Sequence, residues 1–200
     1  MTDQSAAVAS PLTPRPETLD FLLTRRSRPP KTLGEPVPDR SALRPLLQAA
    51  ARVPDHGKLE PWRFVVLERA ACQRLAELTE GIGQAEGRDP DALAKDIAGF
   101  ADAHLVVAVI FSPRDSAKIP VWEQEASAAC VCLSLVNAAL AAGWGAGWLT
   151  GWRARHRDFC ERGLGLAPHE SVAGFVHIGT ETRTPPERPR PDLDAITTWM

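Results

Sequence analysis

The most apolar stretch of the chain runs from Glu123 to Gly143 and holds almost only small or apolar residues after Ala126. Good helix formers dominate it, it lacks proline, and its first glycine is Gly143, where a helix is expected to end. Glu123 and Glu125 fall in the first turn, where carboxylates suit the helix dipole. A helix that is apolar all round must be buried on all sides, so the pattern predicts a core helix. Its small residues favour close packing, with a second copy of the chain as one candidate neighbour.

A membrane span is the alternative interpretation of this stretch. A span needs about 20 strongly apolar residues. This run is rich in alanine and contains Ser127, Ser134 and Asn137, so the buried core helix is favoured and no membrane association is expected.

Three shorter runs have the composition of β-strands. Arg63–Glu68 is rich in Phe and Val, and Val172–Gly179 is mostly apolar. His104–Phe111 is a nearly continuous apolar and β-branched run, which predicts a central strand buried on both faces. Residues 148–150 are predicted to form a strand edge after the glycines that end the long helix.

The other periodic segments predict five shorter helices between loops rich in proline and glycine. Helices outweigh strands and several connections are long, so the order of elements predicts an α+β domain with a small sheet against the core helix. The predicted bounds are Thr18 (as cap) to Arg26, Asp39 or Ser41 (as cap) to Arg52 or Val53, Ala70–Glu80, Pro90–Phe100 and Ala154–Leu164, with a mobile connector over Gly81–Pro90.

The two ends of the chain differ in composition from the rest. Residues 1–16 predict a disordered tail before a single domain over residues 17–200, and we find no secretory signal pattern. Residues 180–200 are rich in Pro and Arg and end in the apolar Ile196–Trp199, which predicts an arm that reaches across a dimer. Four scattered cysteines without metal-site spacing indicate free thiols in a reducing cytoplasm.

Charge and motifs exclude several function classes. The formal net charge is −2 over 200 residues without a basic run, which argues against a nucleic-acid-binding protein. The five histidines lack metal-ligand spacing, and the sequence has no phosphate loop, nucleophile elbow or zinc-protease motif. We therefore predict no metal site, and a cofactor is expected to carry the chemistry of any enzyme activity.

Three groups of residues remain as candidates, each with two interpretations. Arg25-Arg26-Ser27 at a helix end either grips a phosphate through fork-like hydrogen bonds or forms a solvated basic turn. His56 is either a functional residue, as a base or a ligand contact, or an ordinary loop histidine. Glu123 and Glu125 either work as an acid–base pair or only favour the helix start.

The order of several short motifs resembles the nitroreductase family of FMN-dependent NAD(P)H oxidoreductases, and most of all its small YdjA-like branch. The resemblance covers roughly residues 17–200. Each motif is weak alone, but their order and separations together are specific. The motifs are Arg25-Arg26-Ser27, Arg52-Val53-Pro54-Asp55-His56, Glu60-Pro61-Trp62-Arg63-Phe64, Pro120–Glu125 and Gly143–Trp148.

The resemblance implies a nitroreductase-like α+β fold with a small, mostly antiparallel central sheet flanked by helices. It further implies an intertwined homodimer, with the long helix at the interface, the C-terminal arm on the partner, and FMN in interface clefts. The implied activity is hydride transfer from NAD(P)H through FMN to a nitroaromatic, quinone or similar small-molecule acceptor, in ping-pong order.

Site residues follow from the same resemblance. Arg25, Arg26 and Ser27 match residues that hold the FMN phosphate and ribityl chain, and Arg52 and His56 match FMN contacts from the other subunit. The strand edge that flanks FMN in the family is matched by Trp148, Leu149 and Thr150. A stretch assigned to NAD(P)H binding is matched by Ala138, Ala139, Leu140, Ala141, Ala142 and Gly143.

The sequence departs from the family pattern in two places. The branch often has Arg-Ser where this chain has Leu149 and Thr150, so a cation is lost that Arg153 is one candidate to replace. Lys58 and Glu60 stand where the family favours Asn and Gln. Two other functions therefore stay open: a non-catalytic flavin-binding protein on the same fold, and a helical interaction protein without flavin.

Overall fold

The computed structural model describes residues 12–200, so most of the predicted tail lies outside the described residues. Pro16, the last residue of that predicted tail, is the first residue of a helix. The helices are α1 (Pro16–Thr24), α2 (Arg40–Ala50), α3 (Arg69–Ala85), α4 (Pro90–Ala101), α5 (Val121–Ala141) and the single turn α6 (Leu193–Ile196). The strands are β1 (Leu33–Gly34), β2 (Trp62–Glu68), β3 (Leu105–Phe111), β4 (Gly145–Leu149) and β5 (Ser171–Glu181).

The five strands form one antiparallel sheet with β3 and β5 at its centre. β3 pairs with β2 on one side and with β5 on the other, and β4 and then β1 pair along the far edge of β5. The predicted fold class, an α+β domain with a small antiparallel sheet and flanking helices, is confirmed.

β3 is the strand that holds the two layers of the core together. All seven of its residues are buried. Because side chains alternate along a strand, Val106, Ala108 and Ile110 face the layer that contains α3, while Leu105, Val107 and Val109 face α2 and α5. This confirms the predicted central strand.

α5 packs one side on the sheet and leaves the other side uncovered. Its buried residues include Val131, Leu135 and Ala139, whereas Ala126, Cys130 and Leu133 are exposed, the last to 46%. By length and composition α5 is long and apolar enough to cross a membrane, and 44% of its most apolar window is buried within the chain. The predicted burial of this helix on all sides is therefore not reached within one chain.

Several predicted helix bounds were wrong, for identifiable reasons. α1 begins at Pro16 without a side-chain cap, because proline suits the first helical turn. α2 ends at Ala50, and its cap is the Asp39 carboxylate, which accepts a hydrogen bond of 2.8 Å from the Ala42 N–H. α3 continues through Gly81 and Gly83 into the predicted connector, since Gly83 lies tightly against Leu93 of α4.

The helix predicted over Ala154–Leu164 is irregular. The structure has a 3-10 turn at Trp152–Ala154 and a π-helical turn at Phe159–Gly163. Gly163 lies against Leu75 of α3, where a side chain would overlap. Close packing on α3 therefore overrides the regular helical pattern.

Arg63 and Glu170 connect the starts of β2 and β5 by two hydrogen bonds of 2.7 Å. The guanidinium lowers the pKa of the buried Glu170 carboxyl to about 2. We expect Glu170→Gln to lower the free energy of unfolding at pH 7 by about 2 kcal/mol. The effect is no larger because Arg63 is partly exposed and water screens its charge. A group with a depressed folded pKa stabilises the fold above its ordinary value of 4.5, and this contribution is lost as the pH falls towards 2.

Urea unfolding of the wild type and the variant at pH 7 and pH 3 checks this expectation, and the difference between the two proteins should shrink at pH 3. Glu68→Gln is the control, because its pair with Arg40 spans 3.4 Å between exposed side chains and should matter by less than about 0.5 kcal/mol. An equal effect of both substitutions would contradict the assignment.

Candidate functional site

The segment after α1 is fixed to the sheet by its backbone. The Arg28 N–H donates to the Ala146 carbonyl of β4 at 2.8 Å. A Cβ on Gly147 would lie 2.5 Å from the Arg28 carbonyl oxygen, so glycine is needed for this approach. This approach brings Arg25–Ser27 next to β4.

Arg25–Ser27 lies in a cluster of four guanidinium groups. Arg25 donates to the Ser27 hydroxyl at 3.0 Å. Burial lowers the pKa of Arg25, and so do the positive charges of Arg190, Arg26 and Arg28, in that order. Within residues 12–200, the buried Nε atoms of Arg25 and Arg26 have no hydrogen-bond partner.

Two carboxylates offset part of this positive charge. Glu181 pairs with Arg28 at 2.5 Å, and Glu187 pairs with Arg190 at 2.7 Å. Four guanidinium groups against two carboxylates leave an excess of two positive charges. The buried Nε atoms of Arg25 and Arg26 lack an acceptor, and Glu181 Oε1 in the same cluster lacks a donor, so the cluster holds hydrogen-bonding capacity that the described residues do not use. This cluster suits an anion such as a phosphate, and it disfavours the solvated basic turn.

Arg28 and Arg190 are members of the cluster that sequence reasoning missed. Arg28 directly follows the recognised motif, so its position was a usable signal. Arg190 lies in the C-terminal arm, 165 residues beyond Arg25, and only the fold brings its charge near that residue.

The predicted strand edge lies beside the same segment. Leu149 ends β4, and Thr150 is the exposed residue after it. The Trp148 indole packs over Gly174 of β5, and any side chain at position 174 would overlap the indole. Leu149 lines a cavity of about 320 Å³ together with Pro29, Pro30 and residues of α4.

Arg153 does not replace the cation that Leu149 lacks. Its side chain is buried, donates to the Asp96 carbonyl and lies 3.4 Å from the Asp96 carboxylate. Its guanidinium also stacks over the Phe100 ring at 4.8 Å. This arginine is engaged in the core, so the candidate replacement is wrong.

Arg52 and His56 lie in a different part of the chain, after α2, where His56 meets the start of α5. Their side chains are exposed, and none of the contacts among the described residues joins them to Arg25 or Ser27. His56 Nδ1 lies 2.8 Å from an oxygen of the Glu123 carboxylate. A single chain therefore presents the two groups of predicted FMN contacts separately.

The loop that carries His56 has a strained backbone. Gly57, Lys58 and Glu60 have φ values of 72°, 54° and 47°, in the left-handed region that non-glycine residues rarely adopt. The Asp55 carboxylate holds this shape by accepting the N–H groups of Leu59 and Glu60 at 3.2 and 2.9 Å. Such strain persists only where surrounding contacts enforce it, and it is common at functional sites.

The stretch matched to NAD(P)H, residues 138–143, is the C-terminal end of α5. The N–H groups of Ala142 and Gly143 donate to α5 carbonyls, and Gly143 ends the helix with a φ of 84°. A helix C-terminus carries partial negative charge, which does not favour a pyrophosphate. The assignment stays a prediction that this geometry does not favour.

The cysteines and the acidic groups show no metal centre among residues 12–200. No three His, Cys, Asp or Glu residues come together there as a metal ion would need. All four cysteines are free thiols, and burial raises the pKa of Cys132 to about 12, so this thiol stays protonated at neutral pH.

A family model described as the nitroreductase family matches residues 22–180, which is most of the chain. The chain belongs to the nitroreductase family. It is 32% identical over 164 residues to the Escherichia coli protein named "Putative NAD(P)H nitroreductase YdjA", and the match covers 82% of this chain and 88% of that protein. A protein of the same general name from Haemophilus influenzae is also 32% identical, over 166 residues with the same coverage.

Solved structures agree with the nitroreductase fold. A nitroreductase-like family protein from Bacillus cereus superposes with a TM-score of 0.75 at 20% identity, covering 95% of this chain and 99% of that one. A nitroreductase with bound FMN from Bacteroides fragilis gives a TM-score of 0.70 at 19% identity, covering 92% and 98%. The predicted nitroreductase-like fold is confirmed, and the chain is assigned to a family of oxidoreductases.

The close approach of β4 to Arg28 can be tested by adding one methyl group at position 147. Gly147→Ala would push the β4 backbone from the Arg28 carbonyl, and overpacking of this kind costs about 1–3 kcal/mol of unfolding free energy. Gly81→Ala is the control, since its Cβ would meet nothing within 4 Å in a helix interior, and it should stabilise by about 0.5–1 kcal/mol. Thermal and urea unfolding measure both, and a neutral Gly147→Ala would contradict the close approach.

Proposed function

We propose that this nitroreductase is an FMN-dependent NAD(P)H oxidoreductase that reduces a nitroaromatic, quinone or similar small acceptor in ping-pong order. The family and the names of its relatives, which include NAD(P)H, support the proposal. Bound FMN in the Bacteroides fragilis neighbour supports the choice of cofactor. The observation that carries the proposal is the arginine cluster with its unpartnered, buried Nε atoms.

The cluster fits the FMN phosphate in charge and in donors. A phosphate carries close to two negative charges at neutral pH and three strong acceptor oxygens, which matches the excess of two positive charges. Arg25, Arg26 and Ser27 would hold the phosphate, with Arg28 and Arg190 completing the positive surroundings. Trp148, Leu149 and Thr150 would line the neighbouring part of the cofactor, because β4 is fixed to this segment.

A homodimer would unite the two groups of FMN contacts. Arg52 and His56 would come from the partner subunit, since one chain does not bring them to Arg25. The exposed apolar side of α5, formed by Ala126, Cys130 and Leu133, offers an interface. The C-terminal arm offers a second one, because Leu193, Ile196 and Trp199 are exposed, the last to 91%.

FMN supplies the redox chemistry when bound: it takes a hydride from NAD(P)H and passes the electrons to the acceptor. The protein residues bind and orient the cofactor. Arg52, His56 and Lys58 would provide a positive environment that favours added negative charge in the cleft. No side chain needs to act as a covalent nucleophile in such a reaction.

Leu149 favours a second candidate function, a flavin-binding protein that does not turn over. The branch that this chain resembles often has a cation at this position, and here an apolar side chain lines a cavity instead. The loss of a positive charge near the cofactor would weaken support for the reduced form. A cytoplasmic location is proposed for either function.

A visible absorbance spectrum distinguishes the two functions. The purified protein, after incubation with FMN and removal of the excess, should show a flavin band that bleaches on anaerobic addition of NADPH or NADH. Bleaching fails if the protein only stores flavin, and the band is absent if the cofactor assignment is wrong. Free FMN in the same buffer is the control for slow non-enzymatic reduction.

The phosphate assignment is tested by removing single charges from the cluster. Arg25→Gln and Arg26→Gln should each raise the FMN dissociation constant at least about tenfold, because a hydrogen bond to a charged group contributes roughly 1.5–3 kcal/mol. Fluorescence titration with FMN at two salt concentrations measures the change. Arg40→Gln is the matched control, since this arginine makes a long surface pair at 3.4 Å and should leave FMN affinity unchanged.

A further inference from the structure

The His56 loop is held by two contacts with the start of α5 and by a third with Ile119, just before that helix. His56 Nδ1 lies 2.8 Å from Glu123 Oε2. One helical turn further on, the Ser127 hydroxyl donates to the Pro54 carbonyl. Gly57 packs against the Ile119 side chain, in a place where a Cβ would lie 2.5 Å from Ile119 Cδ1. The imidazole therefore has a defined position although its own side chain is largely exposed.

Glu123 contacts His56 and does not cap its own helix. α5 has no side-chain cap hydrogen bond at its N-terminus, although Glu123 lies in the first turn. Glu125, the other carboxylate at this helix start, lies 3.3 Å from Arg155 instead. The two glutamates thus have different partners, and a general preference for acidic residues at a helix start does not explain the contact with His56.

The contact decides which nitrogen of His56 is protonated. An ionised carboxylate only accepts hydrogen bonds, so Nδ1 must carry the proton that joins it to Glu123. The other nitrogen, Nε2, has no hydrogen-bond partner in the described part of the chain. Nε2 is then the atom that accepts when the ring is neutral and donates when the ring is cationic.

We propose that Glu123 is a positioning residue that fixes His56 as the Nδ1–H tautomer and presents Nε2 as the nitrogen that binds the ligand in the cleft. This inference rests on the proposed function, in which His56 is an FMN contact. It adds Glu123, which does not itself bind the cofactor, to the residues that support the proposed site. It also gives α5 a second role besides packing.

The other charged groups near His56 do not compete for Nδ1. The Asp55 carboxylate is occupied by the N–H groups of Leu59 and Glu60, and Glu125 is paired with Arg155. Lys58 is a donor and cannot accept from the imidazole. From α5, the element packed against the loop, Glu123 is the carboxylate in contact with the ring.

The tautomer is measurable without flavin, by ¹⁵N NMR of the full chain at a pH where the ring is neutral. The wild type should show Nδ1 protonated and Nε2 unprotonated. Glu123→Leu should shift His56 to the Nε2–H tautomer or to a mixture. Glu123→Gln should give a mixture of tautomers, because its side-chain amide can accept from Nδ1–H through the oxygen or donate to an unprotonated Nδ1 through the NH2 group. Glu125→Gln, with the same change of charge on the same turn, should have no effect.

An Nε2–H tautomer in the wild type, or no change in Glu123→Leu, would overturn the inference. A second measurement links it to the cofactor. Glu123→Leu should weaken FMN binding about tenfold, as loss of an orienting partner does for metal-ligating histidines. Glu123→Gln should weaken it less, because the amide still holds the ring but accepts either tautomer. If the tautomer behaves as expected but no variant or wild type binds FMN, the proposed function fails while the positioning role stands.

Discussion

The burial of β3 on both faces is the constraint on which the rest of the structure depends. A strand with seven buried residues needs an apolar cover on each side, and a single layer of helices cannot provide both. α3 covers one face, together with the irregular segment around Phe159, and α5 covers the other face with α2. The long apolar helix is therefore required by the sheet, and the side of it that faces away from the sheet stays exposed within one chain.

The candidate site lies where the backbone of β4 approaches the arginine-rich segment that follows α1. β4 follows α5 through Gly143 and pairs with the exposed edge of β5, and its glycines admit the segment that follows α1. That segment carries Arg25 to Arg28 with more positive charge than the neighbouring carboxylates neutralise. Like charges gathered in this way, with donors left unpaired, are the features on which the proposed phosphate site rests.

The second half of the proposed site has a different structural basis. Around His56 the backbone is held in left-handed conformations by Asp55, and the loop is fastened to the first turns of α5. The same helix thus packs on the sheet, positions the imidazole and presents an apolar side outward. Dimerisation through α5 would bring flavin contacts from two chains together, so that binding of the cofactor and assembly would support each other.

The sequence alone determined the α+β class, the three apolar strands and the long helix, because continuous apolar runs and periodicity depend on each residue's own chemistry. Together with the motif resemblance, it also predicted Arg25–Ser27 as phosphate contacts, and it placed the end of the long helix at Gly143 before a strand. It could not determine the π-helical turn at Phe159–Gly163, the passage of α3 through Gly83, or the arrival of Arg190 at Arg25. Those features depend on contacts between residues that are far apart in the sequence. The sequence likewise left Glu123 and Glu125 equivalent, and only the tertiary structure decided that one meets His56 and the other Arg155, since a partner is a property of the fold and not of the residue.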